Sequence, residues 1–231
     1  MKFNFKAWVG LLMIMFLANT HVMAQSEGNE IGYPGLFQGA IYPEVSVARG
    51  SSSFQEKGFV EGNLKFEGYY FSNLDLMYDV YLDELVLLTP DENHKVLVNG
   101  TKVHSFDFPE NRTFVKLHNP SLSAQQKKGY YELLADGPVQ VLIKHSKEIQ
   151  IISSPTEFYK VFSDKAIYYL HDGFKMKNIN RRKDALEFFG LSAKEFRAHA
   201  SRKLSFKRQK NDFLLELIKV SEKINNQQHN E

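Results

Sequence analysis

The chain has 231 residues, of which 43% are hydrophobic and 24% charged, with no cysteine and a formal net charge of +2. That balance belongs to a folded globular chain and excludes a disordered one. Without cysteine there are no disulfides, thiolate nucleophiles or cysteine-ligated metals, so the fold must rest on its core, to which 19 Phe and 11 Tyr contribute.

The N-terminus reads as an export signal. Lys2 and Lys6 precede a mostly apolar run from Ala7 to Ala18, and Val22-Met23-Ala24 offers the small-x-small pattern of a cleavage site. A helix of about twelve residues rises only ~18 Å, short of the ~30 Å hydrocarbon layer. Residues 1–24 are therefore expected to be clipped off and not to anchor the chain. No later apolar run approaches spanning length, so the mature product is expected to be soluble or peripherally attached. Export without disulfides points to a bacterial periplasm or exterior.

Residues 25–57 form an extended or flexible arm containing Pro34, Pro43 and Ser51-Ser52-Ser53. Tyr33, Leu36, Phe37, Ile41 and Tyr42 are more apolar than a free linker needs, so part of the arm is expected to dock. From Gly58 the period becomes two. Val60 to Phe66 alternates, and Leu74 to Val80 is apolar at every even position, which predicts one buried and one wet face. Leu85–Leu88 is a short apolar strand. Asn99-Gly100, between Lys95–Val98 and Thr101–Phe108, predicts a type I′ hairpin. Thr113–Leu117 is a further strand. Asp136-Gly137 joins Tyr130–Ala135 to Val139–Lys144, Ile149–Ile152 extends the sheet, and Asp172-Gly173 joins Ala166–Leu170 to Phe174–Lys177.

After Asn178 the period turns helical. Arg181–Phe189 is a short helix with Asn180 as cap and Gly190 as stop. Ser192-Ala193-Lys194-Glu195 is a capping box, stapled by Leu191 and Phe196. A last helix, from about Asp212 to Ile224, carries Phe213, Leu217, Val220 and Ile224 as its stripe. Residues 226–231 are expected to fray. The fold class is thus α+β: an antiparallel β-meander or small curled barrel over 58–177, followed by a bundle of three short helices within a basic tail over 178–225.

Gly129-Tyr130-Tyr131-Glu132-Leu133-Leu134-Ala135-Asp136-Gly137 with Val139–Lys144, together with Arg181-Arg182-Lys183-Asp184-Ala185-Leu186 and the run from Glu195-Phe196 to Leu204, resembles exported, functionally uncharacterised β-rich proteins of Bacteroidota-type bacteria with a C-terminal helical tail. The resemblance spans about 58–225. It implies an envelope protein and transfers no catalytic residue.

Motifs for chemistry are sparse. No Gly-x-Ser-x-Gly elbow, phosphate-binding glycine loop or dinucleotide fingerprint is present. Ser51-Ser52-Ser53 lies in the arm, where a nucleophile would lack register. Asp75 and Asp79 share a strand face about 13 Å apart, too far for a hydrolase pair, and are predicted to solvate the outer face. His118, His145 and His171 each sit near a strand end but lack metal-ligand spacing, and neither a metal nor a cofactor is expected. An enzyme is accordingly disfavoured.

Charge is the remaining signal. Residues 25–172 hold 13 basic and 20 acidic groups, whereas 173–210 hold 12 basic and 3 acidic. Lys175, Lys177, Arg181, Arg182, Lys183, Lys194, Arg197, Arg202, Lys203, Lys207, Arg208 and Lys210 supply the excess. Of these, Arg181, Arg182, Lys183, Arg197, Arg202, Lys203, Lys207, Arg208 and Lys210 are the candidate anion-binding residues. An anionic envelope component or another envelope protein is the expected partner. Nucleic acid is disfavoured, because Phe196 and Phe206 are predicted core and not free to stack. Two competing readings are a solvated helical face and a tail that docks on its own acidic body. A carrier of a lipophilic molecule inside an aromatic-rich barrel is the alternative function, and a hydrolase without a recognisable motif the third.

Overall fold

The structure, a computed structural model, describes residues 34–45, 49–91 and 93–228. The expected signal at 1–24 lies outside the described residues, as does the end of the chain from 229. After a short 3-10 turn at Pro34–Leu36 come ten strands: β1 Val60–Phe66, β2 Tyr69–Asp79, β3 Glu84–Leu88, β4 Lys95–Leu97, β5 Val103–Phe108, β6 Arg112–Val115, β7 Tyr131–Ala135, β8 Gln140–Ser153, β9 Phe158–His171 and β10 Met176–Asn178. Three helices follow, α1 Arg182–Phe188, α2 Ala193–His199 and α3 Lys210–Gln228. The fold is α+β.

All ten strands join one antiparallel sheet in the order β10-β9-β8-β7-β6-β5-β1-β2-β3-β4, which does not close on itself. Two meanders share β1 as their seam. β1–β4 run to one edge, and β5–β10 run from the other side of β1 to the far edge. The β1–β2 connection is a two-residue turn with positive φ at both Glu67 (50°) and Gly68 (85°), the geometry whose twist matches paired strands.

The Asn99-Gly100 hairpin does not form. β4 pairs with β3, and β5 pairs with β1 and β6. The Asn99 side chain instead accepts bonds from the backbone N–H (3.1 Å) and hydroxyl (2.7 Å) of Thr101, so the chain turns without positive φ and crosses to the other side of β1. The hairpins expected at Asp136-Gly137 and Asp172-Gly173 do form, as β7–β8 and β9–β10.

β8 and β9 are much longer than their periodicity implies. They pair without interruption from Gln140↔His171 to Ser153↔Phe158. Near the start of β8, Val141 and Leu170 take the apolar faces of the helices: Leu186, Phe196, Phe213, Leu217 and Val220 are buried there. Farther out the hairpin outruns its neighbours, and Ile151 (59%) and Phe158 (72%) stay exposed.

A second core packs Tyr78, Phe106, Phe114 and Tyr130 ring against ring, with centroids 5.0–5.7 Å apart. The described part of the arm docks on the sheet. Leu36 enters this core and Tyr42 packs on Met77 and Val86. Ile41 pairs with Val96, covering the edge of β4. The helix caps follow the sequence closely. Ser192 and Glu195 exchange the capping-box bonds (2.7 and 3.1 Å), and Gly190 takes φ 66° after α1. The cap of α1 falls at Arg181, one residue after Asn180, because the Asp184 carboxylate accepts from the Arg181 backbone N–H at 2.8 Å.

Candidate functional site

The basic stretch folds over 173–210 with its few acids already engaged. Asp184 holds Arg181 (3.0 Å), Glu187 lies by Lys177 (3.5 Å) and Lys183 (3.4 Å), and Glu195 caps the Ser192 backbone. Arg202 reaches Asp212 at 3.7 Å and Lys175 reaches Asp172 at 3.7 Å. Two cations are drawn inward. Arg182 lies over the rings of Phe196 and Phe213 (5.7 and 5.6 Å), and the Lys210 ammonium lies 4.2 Å from the Tyr168 ring centroid, where burial lowers its pKa. Arg197 donates to the Ala193 carbonyl at 2.9 Å. Lys194, Lys203, Lys207 and Arg208 are exposed and form no ion pair among the described residues.

A cleft of about 570 Å³ lies elsewhere, beside the β2–β3 turn and the β4–β5 connection. Its polar wall comes from Glu84 at the start of β3, Lys116 just after β6, and Lys128 and Tyr130 just before β7. Asp83, also in its lining, is held in an ion pair. The Lys144 ammonium lies 2.7 Å from Asp83, which also accepts from the Tyr78 hydroxyl at 2.6 Å. Burial lowers the pKa of Lys144, and the Asp83 charge opposes that shift. Burial, reinforced by Asp83, raises the pKa of Glu84. The Tyr130 ring is buried, and its hydroxyl has no hydrogen-bond partner among the described residues.

Two further polar clusters are built into the sheet. Arg112 grips Glu132 with two bonds (2.6 and 2.9 Å), and His145 meets the same carboxylate at 2.6 Å. Phe54 of the arm meets His145 edge to face and lies under the Arg112 guanidinium. Burial pushes the pKa of Glu132 up, but the bonds and charges of His145 and Arg112 outweigh it and bring it down to about 2. The second cluster corrects an expectation. Asp79 does not solvate the outer face; it is fully buried, accepting from the hydroxyls of Tyr42 and Ser52 (2.7 Å from Ser52) and from the Leu82 backbone N–H (2.8 Å). Asp75 is exposed, as its alternation predicts.

The three histidines singled out from sequence each have their own surroundings. His145 sits at Glu132, His171 at Gln140 (3.1 Å), and His118 beside His104 with ring centroids 5.6 Å apart. No three His, Asp or Glu side chains form a metal-sized cluster among the described residues. The cleft was not visible in sequence. Glu84, Lys116 and Tyr130 obey no spacing rule, and only Asn99-Gly100, read as a hairpin turn, marks its rim.

Comparison with protein-family models, with curated proteins and with solved structures returned no match. Among the described residues no helix is long and apolar enough to cross a membrane.

Proposed function

We infer that this chain is an exported, non-enzymatic envelope protein whose sheet is a scaffold and whose basic tail meets an anionic surface or partner. One observation carries this reading. The acids within 173–210 serve helix caps and local pairs, while Lys194, Lys203, Lys207 and Arg208 stay exposed without a carboxylate partner among the described residues. Docking of the tail onto its own body does not use these charges either, because α1–α3 meet the sheet through apolar side chains around Val141 and Leu170. Four unpaired cations in fifteen residues suit the headgroups and phosphorylated polymers of an envelope. The interior gives the lipophilic-carrier reading no support, since its aromatic rings pack on one another.

Heparin and anionic liposomes test the proposal. The chain should be retained and released by salt. At about 1 kcal/mol per cation near an anionic surface, a variant with Lys203, Lys207 and Arg208 all changed to Gln should bind on the order of a hundredfold more weakly. Equal retention of this variant removes the tail from the function. Export is tested separately: protein recovered from the envelope of its native host should begin at Gln25.

A further inference from the structure

We propose that the cleft beside Gly100 is a second binding site, built for a monosaccharide-sized hydroxylated anion. Three polar atoms that no local motif brings together lie around Gly100. A methyl group placed on the open side of Gly100 would lie 3.0 Å from the Tyr130 hydroxyl, 3.6 Å from the Lys116 ammonium and 3.8 Å from a Glu84 carboxylate oxygen. A phenol, an ammonium and a carboxylate thus lie around Gly100 at the wall of the cleft, and the Lys116 ammonium also donates to the Gly100 carbonyl.

Tyr130 is the observation that points to a ligand. Its side chain is only 2% exposed, and Tyr78 and Phe106 clamp the ring edge to face at 5.7 and 5.1 Å. The hydroxyl nevertheless finds no partner among the described residues. Leaving a buried hydroxyl unpaired costs about 1–3 kcal/mol. A phenylalanine would fill the same space without that cost, so the hydroxyl matters where something in the cleft meets it.

Charge narrows the ligand. Lys144 neutralises Asp83, which removes one carboxylate from the wall. Lys116 and Lys128 then face a single carboxylate, Glu84. The cleft is cationic on balance, and the Tyr130 hydroxyl and Glu84 carboxylate offer a donor and an acceptor suited to a ligand hydroxyl. A ligand with its carboxylate or phosphate toward the two lysines and a hydroxyl between Tyr130 and Glu84 satisfies every group. The volume of about 570 Å³ is of the size that holds small ligands.

Calorimetry on the full chain, with glucuronate, glucose 6-phosphate and neutral glucose as probes, tests this. At least one anion should bind saturably, and glucose at least about tenfold more weakly. Which anion binds tells carboxylate from phosphate recognition. Tyr130→Phe should weaken binding about tenfold while leaving the melting temperature unchanged or raised, because it removes an unpaired buried hydroxyl. Gly100→Ala should weaken binding about tenfold by crowding the Tyr130 hydroxyl and the Lys116 ammonium, and the neutralised tail described above should bind like the native chain. The proposal is overturned if neither anion binds at about 10 mM, if glucose binds as well as the anions, or if Tyr130→Phe and Gly100→Ala both bind normally.

Discussion

Asp75 and Asp79 occupy equivalent places in the same alternating strand, yet one is wet and the other fully buried. Strand geometry puts both on one face; what differs is the cover. Tyr42 and Ser52 of the arm lie over the end of β2 and donate to Asp79. Asp79→Ala would leave the Leu82 N–H unpaired and the Tyr42 and Ser52 hydroxyls with only each other, and urea unfolding should show a loss of about 3 kcal/mol. Proteolytic cutting within the arm should rise alongside. Glu132 poses a sharper test. Its folded pKa of about 2 lies below the ordinary 4.5, so it stabilises the fold fully above pH 4.5 and loses that contribution as pH falls toward 2. The shift corresponds to about 3 kcal/mol. Glu132→Gln leaves Arg112 and His145 without their carboxylate. It should be destabilised by about 3 kcal/mol at pH 7 and should lose less further stability than the native chain between pH 4.5 and 2. Sequence named Glu132 only as part of a resemblance, because its partners lie 20 and 13 residues away on other strands.

At the scale of elements, what is local was legible. The α2 capping box and the Gly190 stop form as their residues predict, because each involves groups within four positions. Ser192→Ala and Gly190→Ala should each cost about 1 kcal/mol in thermal unfolding, the first through an orphan N–H and the second through its φ of 66°. The β8–β9 hairpin was only half legible. Its outer strands mix Lys, Glu and Ser with Ile and Phe, so alternation does not mark them, and long-range pairing alone extends them. Exposure divides the hairpin. Changing Ile151 and Phe158 together to Ser should shift urea stability by no more than about 0.5 kcal/mol. Phe162→Ala should cost about 3 kcal/mol, since Phe162 is buried against Tyr81 and the arm at Gly50.

For the whole molecule, the strand order is the part that sequence did not reach. Local turn chemistry at Asn99-Gly100 favoured pairing β4 with β5, but β4 has β3 on one edge and the arm at Ile41 on the other, and β5 pairs with β1 and β6. The cleft depends on that crossover, since the β4–β5 connection forms its rim and places Gly100 among its polar groups. By itself the sequence determined the α+β class, the presence of three helices and the start of α2, two of the hairpins and the basic character of the tail, all of which depend on residues close along the chain. Tertiary structure alone decided which cations remain unpaired, which aspartate is buried and where Glu84, Lys116 and Tyr130 meet. Those outcomes depend on residues far apart in the chain but close in space, and their partners are set by how the sheet is ordered and covered.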